Sequence, residues 1–428
     1  MKENNTLPAD CNLIERMVER QNMLRAYSHV VKNKGAAGVD GVTIHELKGL
    51  LQCCWTEVKE HLLNGNYKPK PVLRVEIPKP NGGVRQLGIP TVLDRLIQQA
   101  LHQVLEPILD PTFSDSSFGF RRGRSAHQAI RQAKRFQSEG RGWVVDMDLA
   151  KFFDEVNHDL LIARIRRKIG DKRVIHLIRQ YLRSGVVINR TVYKTAKGTP
   201  QGGPLSPLLS NIMLDDLDKE LERRGHAFCR YADDCNIYVK SKRSGERVLE
   251  SITSFIEKKL KLRVNQSKSA VDYPSKRKFL GFSFLGGKKP RIRVAKDSIE
   301  KVKKTLKQCF RKGRGRNLSR FITEELNPVI RGWINYFSIA DSKRFAEELD
   351  GWIRRHLRKL LWKQWKRSWT RRKRLISAGL PEEWAVIGAF NGRGSWHNAG
   401  SFHMNIAFKK KFFDRIGLVS MLDKVVKC

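Results

Sequence analysis

The chain has 428 residues, 40% of them hydrophobic, enough to fill the cores of two or three domains and to exclude a disordered polymer. Its 84 Lys and Arg against 43 Asp and Glu leave a formal charge of +41, which points to a polyanionic partner. No apolar run approaches the roughly 20 residues of a spanning helix, so no membrane role is expected. The opening MKENNTLPAD has neither an apolar signal core nor an Arg-rich transit character, which makes the cytoplasm the expected compartment. Seven cysteines, odd in number and without CxxC pairing, read as reduced thiols and not as a disulfide framework or zinc cage.

In chain order, residues 1–66 are expected to form an N-terminal extension, helical from about residue 12 to 66. Leu13, Met17, Met23 and Leu24 recur near helical spacing, and a glycine-rich turn interrupts at 34–41. Residues 72–90 alternate apolar positions on either side of Pro80-Asn-Gly-Gly83, which predicts a hairpin with the cations Lys79 and Arg85 on opposite arms. A helix follows, with Leu96, Ala100, Val104 and Ile108 on one face, its end disturbed by Pro107. Strands are predicted at 143–149, 228–240 and 279–285, with helices at 158–184, 205–224 and 243–260 between them. That order implies an α+β domain with a mixed sheet backed by helices. Past Gly287 the composition changes: residues 286–375 hold 28 Lys and Arg against 8 Asp and Glu, with five tryptophans interspersed. This reads as a separate, mostly helical, basic and aromatic module. In KDSIEKVKKTLKQCF, Ile299, Val302, Leu306 and Phe310 mark the inward face, while lysines such as Lys301 and Lys304 face outward to track a phosphate backbone.

Chemistry concentrates in carboxylates. Tyr231-Ala232-Asp233-Asp234 sits between AFCRY and CNIYVK, the pattern of two strands joined by a tight turn. Adjacent acids there suit a hard-oxygen site for divalent ions, which activate an attacking hydroxyl and steady a leaving group in phosphoryl transfer. Upstream, VVDMDLAKFFD runs a strand into Asp146, Asp148 and Asp154. The first two lie two apart and share a face, so periodicity cannot choose between them. Gly198-Thr-Pro-Gln-Gly-Gly-Pro-Leu-Ser-Pro207 is a loop through which backbone could approach a ligand closely. Arg121, Arg122 and Arg124 form a dense basic loop, and Asn265 and Lys268 follow an apolar strand in VNQSKS.

Taken together, FRRGRSAH (120–127), VDMDLAKFFDEVNH (145–158), GTPQGGPLSPLLSN (198–211), YADD (231–234) and FLGF (279–282) resemble the ordered blocks of group II intron reverse transcriptases that double as splicing maturases. The resemblance implies a right-hand polymerase, with fingers and palm at 67–285, thumb at 286–325 and a maturase, RNA- and DNA-binding region at 326–428. It implies two Mg²⁺ ions on Asp233, Asp234 and one upstream aspartate. Asp148 is favoured, because the family places an aromatic sugar gate five residues later, where this chain has Phe153; Asp146 would put Lys151 there. It also assigns Lys79, Arg85, Gln201, Gly202, Asn265 and Lys268 to the incoming dNTP and Arg121 and Arg124 to the template. Lys301 and Lys304 would grip the template and primer duplex, and Arg354, Arg355 and Arg358 would touch RNA, with Trp352, Ile353, Leu357, Leu360 and Leu361 as core. The partners implied are an RNA template, intron RNA and a DNA or RNA primer, in a bacterial, nucleoid-associated setting. The end at Cys428, without paired CxxC motifs, suggests the subgroup lacking an HNH endonuclease. Two alternatives stand beside this reading: a relative serving host or phage defence, and a maturase without polymerase activity.

Overall fold

The computed structural model describes residues 12–78, 83–287, 289–341 and 343–427. It divides into two compact units, one ending at Tyr273 and the other beginning at Pro274.

The first unit holds two four-stranded sheets. Strands β1 (Val72–Pro78) and β2 (Val84–Ile89) form the expected antiparallel hairpin, with Arg85 opposite Ile77. Strand β3 (Trp143–Met147) comes next in the chain. Strands β4 (Val186–Ile188) and β5 (Thr191–Tyr193) are a short hairpin that the sequence did not announce. Its turn residues Asn189 and Arg190 both have positive φ, 48° and 66°, a conformation usually signalled by glycine, which is missing here. Strand β1 pairs in parallel with β4, so this first sheet, β2-β1-β4-β5, is the mixed one.

Strands β6 (Ala227–Tyr231), β7 (Asp234–Val239) and β8 (Ala270–Asp272) join β3 in the order β6-β7-β3-β8. Every pairing in this second sheet is antiparallel, which corrects the expectation of a mixed sheet around the acidic turn. A tight turn between β6 and β7 can only bring them together antiparallel, whereas the parallel β1 and β4 are separated by a long crossover.

Helices pack on this second sheet through one continuous apolar core that includes Leu101, Val145, Ile178, Leu214, Ile237 and Ile252. The helix Val92–Leu109 passes through Pro107, at its last turn, and Leu109, not Ile108, closes its buried face. Its start is fixed by Thr91, whose hydroxyl accepts from the Asp94 backbone N–H at 3.1 Å. The predicted helix 158–184 is two helices, His158–Arg166 and Lys172–Arg183. Asp171 breaks it, accepting from the Arg173 backbone N–H at 2.9 Å as N-cap and from the Leu13 backbone N–H at 3.1 Å.

In the second unit, β9 (Phe282–Leu285) and β10 (Arg291–Val294) form a hairpin, followed by helices. The helix Lys296–Lys312 buries Ser298, Val302, Leu306 and Phe310 and leaves Lys301 and Lys304 exposed. The helix Arg344–Gln364 buries Ile353, Leu357, Leu360 and Leu361 as expected, with Trp352 half-buried against Phe310. No helix among the described residues is long and apolar enough to cross a membrane.

Candidate active site

Strands β6 and β7 meet across Tyr231 and Asp234, so Ala232 and Asp233 alone make the turn. Ala232 takes a left-handed φ of 58°, unusual for a residue with a Cβ. Asp233 and Asp234 open from this turn onto a cleft of about 1720 Å³, larger than the roughly 300–1000 Å³ of a small-molecule pocket. Asp148 opens onto the same cleft just past the end of β3. Asp146, inside β3 and opposite Asn236, does not line it.

The carboxylates feel one another. Burial raises the Asp233 carboxyl above the usual range and the charge of Asp148 raises it further. Burial first, then the charges of Asp233, Asp146 and Asp148, push Asp234 up to about 6, against the pull of Lys268. A divalent cation relieves repulsion of this kind, and oxygen donors suit a hard ion. Among the described residues no three His, Cys, Asp or Glu side chains converge closely enough to enclose an ion as they stand.

Arg85, Phe153, Gln201, Gly202, Asn265 and Lys268 line this same cleft, so most of the sequence-derived nucleotide residues come together. Lys79 lies outside the described residues. Phe153 is half-buried on the single-turn helix Phe152–Glu155, edge-on to buried Phe152 at 5.2 Å. Its carbonyl accepts from the Thr199 N–H at 2.6 Å, and Gly198 N–H donates to the Val156 carbonyl at 2.8 Å, stitching the glycine loop to the aromatic turn. Gly202, at φ 125°, has no room for a side chain: a Cβ would stand 2.8 Å from the Gly88 carbonyl oxygen. Asn265 and Lys268 are also turned to Asp148. Asn265 Nδ2 donates to Asp148 Oδ2 at 3.1 Å, and Lys268 Nζ lies 3.3 Å from the same oxygen.

Arg121 is a correction. It is buried, and donates to Asp110 Oδ1 at 2.6 Å and to the carbonyls of Ser114 and Ser117 at 2.5 and 2.9 Å, so it braces the basic loop and does not offer itself to a template. Arg124 is partly exposed and ion-paired to Asp115 at 2.5 Å. The exposed Arg122, beside them, is the one that lines the cleft. In the second unit Arg358 needs the same correction: it is buried and donates to the carbonyls of Phe408 and Ala399 at 3.1 and 3.5 Å. Arg355 lies over the Trp396 ring at 4.2 Å, while Arg354 is half-exposed.

Several residues that shape the site were given no role of their own by the sequence reading. Ser269 Oγ accepts from the Asp148 backbone N–H at 3.0 Å. Arg230, Asp218, Asn211 and Gly119 gather behind the acidic turn. The available signal was a charged residue, Arg230, inside the otherwise apolar strand AFCRY.

The family described as "Reverse transcriptase (RNA-dependent DNA polymerase)" matches residues 77–284, and "Group II intron, maturase-specific domain" matches residues 299–377. Protein YkfC of Escherichia coli (strain K12) is 35% identical over 314 residues, 64% of this chain and 81% of that protein. The group II intron-encoded protein LtrA of Lactococcus lactis subsp. cremoris is 33% identical over 323 residues, 60% of this chain and 54% of LtrA. The chain thus spans about half the length of LtrA and four fifths of YkfC. It belongs to the group II intron-encoded reverse transcriptases, RNA-directed DNA polymerases that carry a maturase-specific domain.

Proposed function

We propose that the cleft of the first unit extends a DNA or RNA primer on an RNA template, with Asp148, Asp233 and Asp234 holding two Mg²⁺ ions. The single observation that carries this reading is that three carboxylates from two separate segments open onto one cleft with Arg85, Phe153 and Gln201. The ions would supply activation of the primer hydroxyl and charge neutralisation at the departing pyrophosphate. The chain's own residues position the reactants. Arg85, together with Lys79, grips the triphosphate; Gln201 and Gly202 bring backbone against the nucleotide; Phe153 crowds the sugar and excludes a 2′-hydroxyl. Asn265 and Lys268 hold Asp148 in place until the nucleotide arrives.

Residues 1–66 are an N-terminal extension, 286–325 a thumb and 326–428 the maturase region, which binds intron RNA to assist splicing and mobility. Exposed Lys301 and Lys304 and half-exposed Arg354 support that assignment, since they present charge outward from a packed apolar face. The protein would work on nucleic acid in the cytoplasm. Primer extension on an annealed RNA template with Mg²⁺, compared between the parent and Asp233→Asn, tests the reading. Extension by both, or by neither, would reject it.

A further inference from the structure

Directly behind the acidic turn stands a buried cation that nucleotide chemistry does not require. Arg230 lies on β6 with its side chain fully buried, and all five of its N–H donors are used. Nε and Nη2 bond the two oxygens of Asp218 at 2.7 and 2.5 Å, Nη1 donates to Asn211 Oδ1 at 3.1 Å, and Nη2 donates to Ser117 Oγ at 2.8 Å. The remaining donor, on Nη1, goes to the carbonyl of Ala232 at 2.8 Å. That carbonyl belongs to the left-handed residue that precedes Asp233.

The surroundings leave the turn little choice. Asp218 and Asn211 project from the long helix Ser206–Arg223, and both are buried. The segment carrying Ser117 runs beside β6: the Arg230 N–H donates to the Ser116 carbonyl, and the Phe118 N–H to the Arg230 carbonyl, each at 2.9 Å. Gly119 follows, pressed so closely on the turn that a Cβ there would strike the Ala232 backbone nitrogen. Asn211 holds it by donating to the Gly119 carbonyl at 3.0 Å. A left-handed alanine is strained, because its Cβ crowds the backbone, and such a conformation persists only where its surroundings over-determine it. Stability alone gives no reason for a buried ion pair, since well-packed apolar residues often replace one without loss.

We infer that Arg230 is a positioning residue for nucleotidyl transfer: fixed by Asp218, Asn211 and Ser117, its guanidinium holds the Ala232 carbonyl and so aims Asp233 and Asp234 into the cleft. The inference rests on the reading of those two aspartates as catalytic. Arg230→Lys separates this role from a merely structural one. A lysine keeps the charge opposite Asp218, but a single nitrogen cannot also hold Asn211, Ser117 and the Ala232 carbonyl.

The experiment compares the parent, Arg230→Lys and the apolar pair Arg230→Met with Asp218→Leu, in the full chain. Melting temperature, template-primer Kd, KM for dNTP, kcat and Mn²⁺ affinity by electron paramagnetic resonance are measured for each. Arg230→Lys is expected to melt within a few degrees of the parent and to keep Kd and KM within about threefold. Its kcat should fall at least tenfold, because small misplacements of reacting groups cost up to about 100-fold, and Mn²⁺ should bind several-fold more weakly. A folded Arg230→Lys with kcat within twofold of the parent would overturn the inference. Should the lysine variant not fold, the apolar pair decides: a stable protein with low kcat supports the role, and one with parental kcat overturns it. Failure of the apolar pair to fold as well would also overturn it, since the charges would then be serving the fold and not the turn. Asp233→Asn runs alongside. If it extends primers as the parent does, the catalytic assignment itself fails, an outcome distinct from any result at Arg230.

Discussion

Two buried arginines, one in each unit, are treated differently by the protein. Arg230 in the first unit is matched donor for donor and ends against the carboxylate of Asp218. Arg358 in the second donates to two backbone carbonyls, and burial, with Arg354 and Arg355 nearby, pulls its pKa down to about 10. The first unit neutralises Arg230 internally and uses it to fix geometry. The second spends its buried cation on backbone carbonyls, and its outward cations Lys301, Lys304 and Arg354 are the ones placed to meet a phosphate backbone. The contrast predicts that charge changes around the acidic turn of the first unit will act on chemistry, and those at the exposed cations of the second on binding.

The largest effect that could break this division belongs to the acidic turn. Asp233→Asn is expected to lower primer extension on the order of 10³-fold or more while leaving RNA affinity within a few-fold, because it removes transition-state stabilisation and not duplex grip. Asp148→Asn should behave alike, and Asp146→Asn should keep part of its activity, since Asp146 lies within the sheet and off the cleft. Single-turnover extension and filter binding on the same preparations separate the two terms. An Asp146→Asn protein as inactive as Asp148→Asn would move the third ligand into the sheet.

A smaller effect within the same unit concerns the sugar. Phe153→Ala should raise use of ribonucleotides relative to deoxyribonucleotides by roughly 10–100-fold, the range that steric pockets discriminate. Unchanged discrimination in competition assays would remove Phe153 from the gate, and leave the case for Asp148 over Asp146 resting on the cleft alone.

Much of this geometry was legible beforehand because it is local. The turn at Ala232–Asp233 follows from two short apolar runs flanking it, and the lysine face of the helix Lys296–Lys312 follows from its period. What could not be read was pairing between distant segments. Nothing near Arg230 in the chain says that Asp218 and Ser117 will surround it, and Arg121 and Arg358 looked like surface cations for the same reason. A lysine or arginine declares its charge in the sequence but not the carbonyls that will receive it. The hairpin β4–β5 escaped because Asn189 and Arg190 adopt positive φ without glycine. The antiparallel pairing of the sheet β6-β7-β3-β8 was misread because strand order in the chain does not fix order in space.

The second unit tests the other half of the contrast. Lys301→Ala and Lys304→Ala should each weaken RNA binding a few-fold and reduce the slope of log affinity against log salt by about 1, with kcat on short primers unchanged. Arg358→Met should instead lower stability by about 2 kcal/mol, because two buried carbonyls lose their donor, and should affect RNA binding only through folding. Thermal melts and salt titrations distinguish the two. A salt slope that fell with Arg358→Met at unchanged melting temperature would return Arg358 to the RNA-contacting surface.

The smallest effect is a pH dependence of the metal-free protein. Asp234 titrates near 6 in the folded chain against 3.8 for the free side chain, with burial as the first cause and the neighbouring carboxylates adding to it. Between those values the folded state holds the proton more tightly than the unfolded one, so stability is favoured at low pH and declines as pH rises through about 6. Above that, the ionised Asp234 opposes Asp233 and Asp148 across an open cleft, where solvent screens part of the repulsion. In EDTA, Asp234→Asn is therefore expected to melt a few degrees above the parent at pH 7.5, and the gap to shrink steadily as pH falls towards the free carboxyl's 3.8. Adding Mg²⁺ at pH 7.5 should stabilise the parent by binding its folded state and narrow the gap, because the variant has lost one carboxylate. A difference between the two proteins that stayed constant from pH 4.5 to 7.5 would show that Asp234 does not carry the repulsion assigned to it.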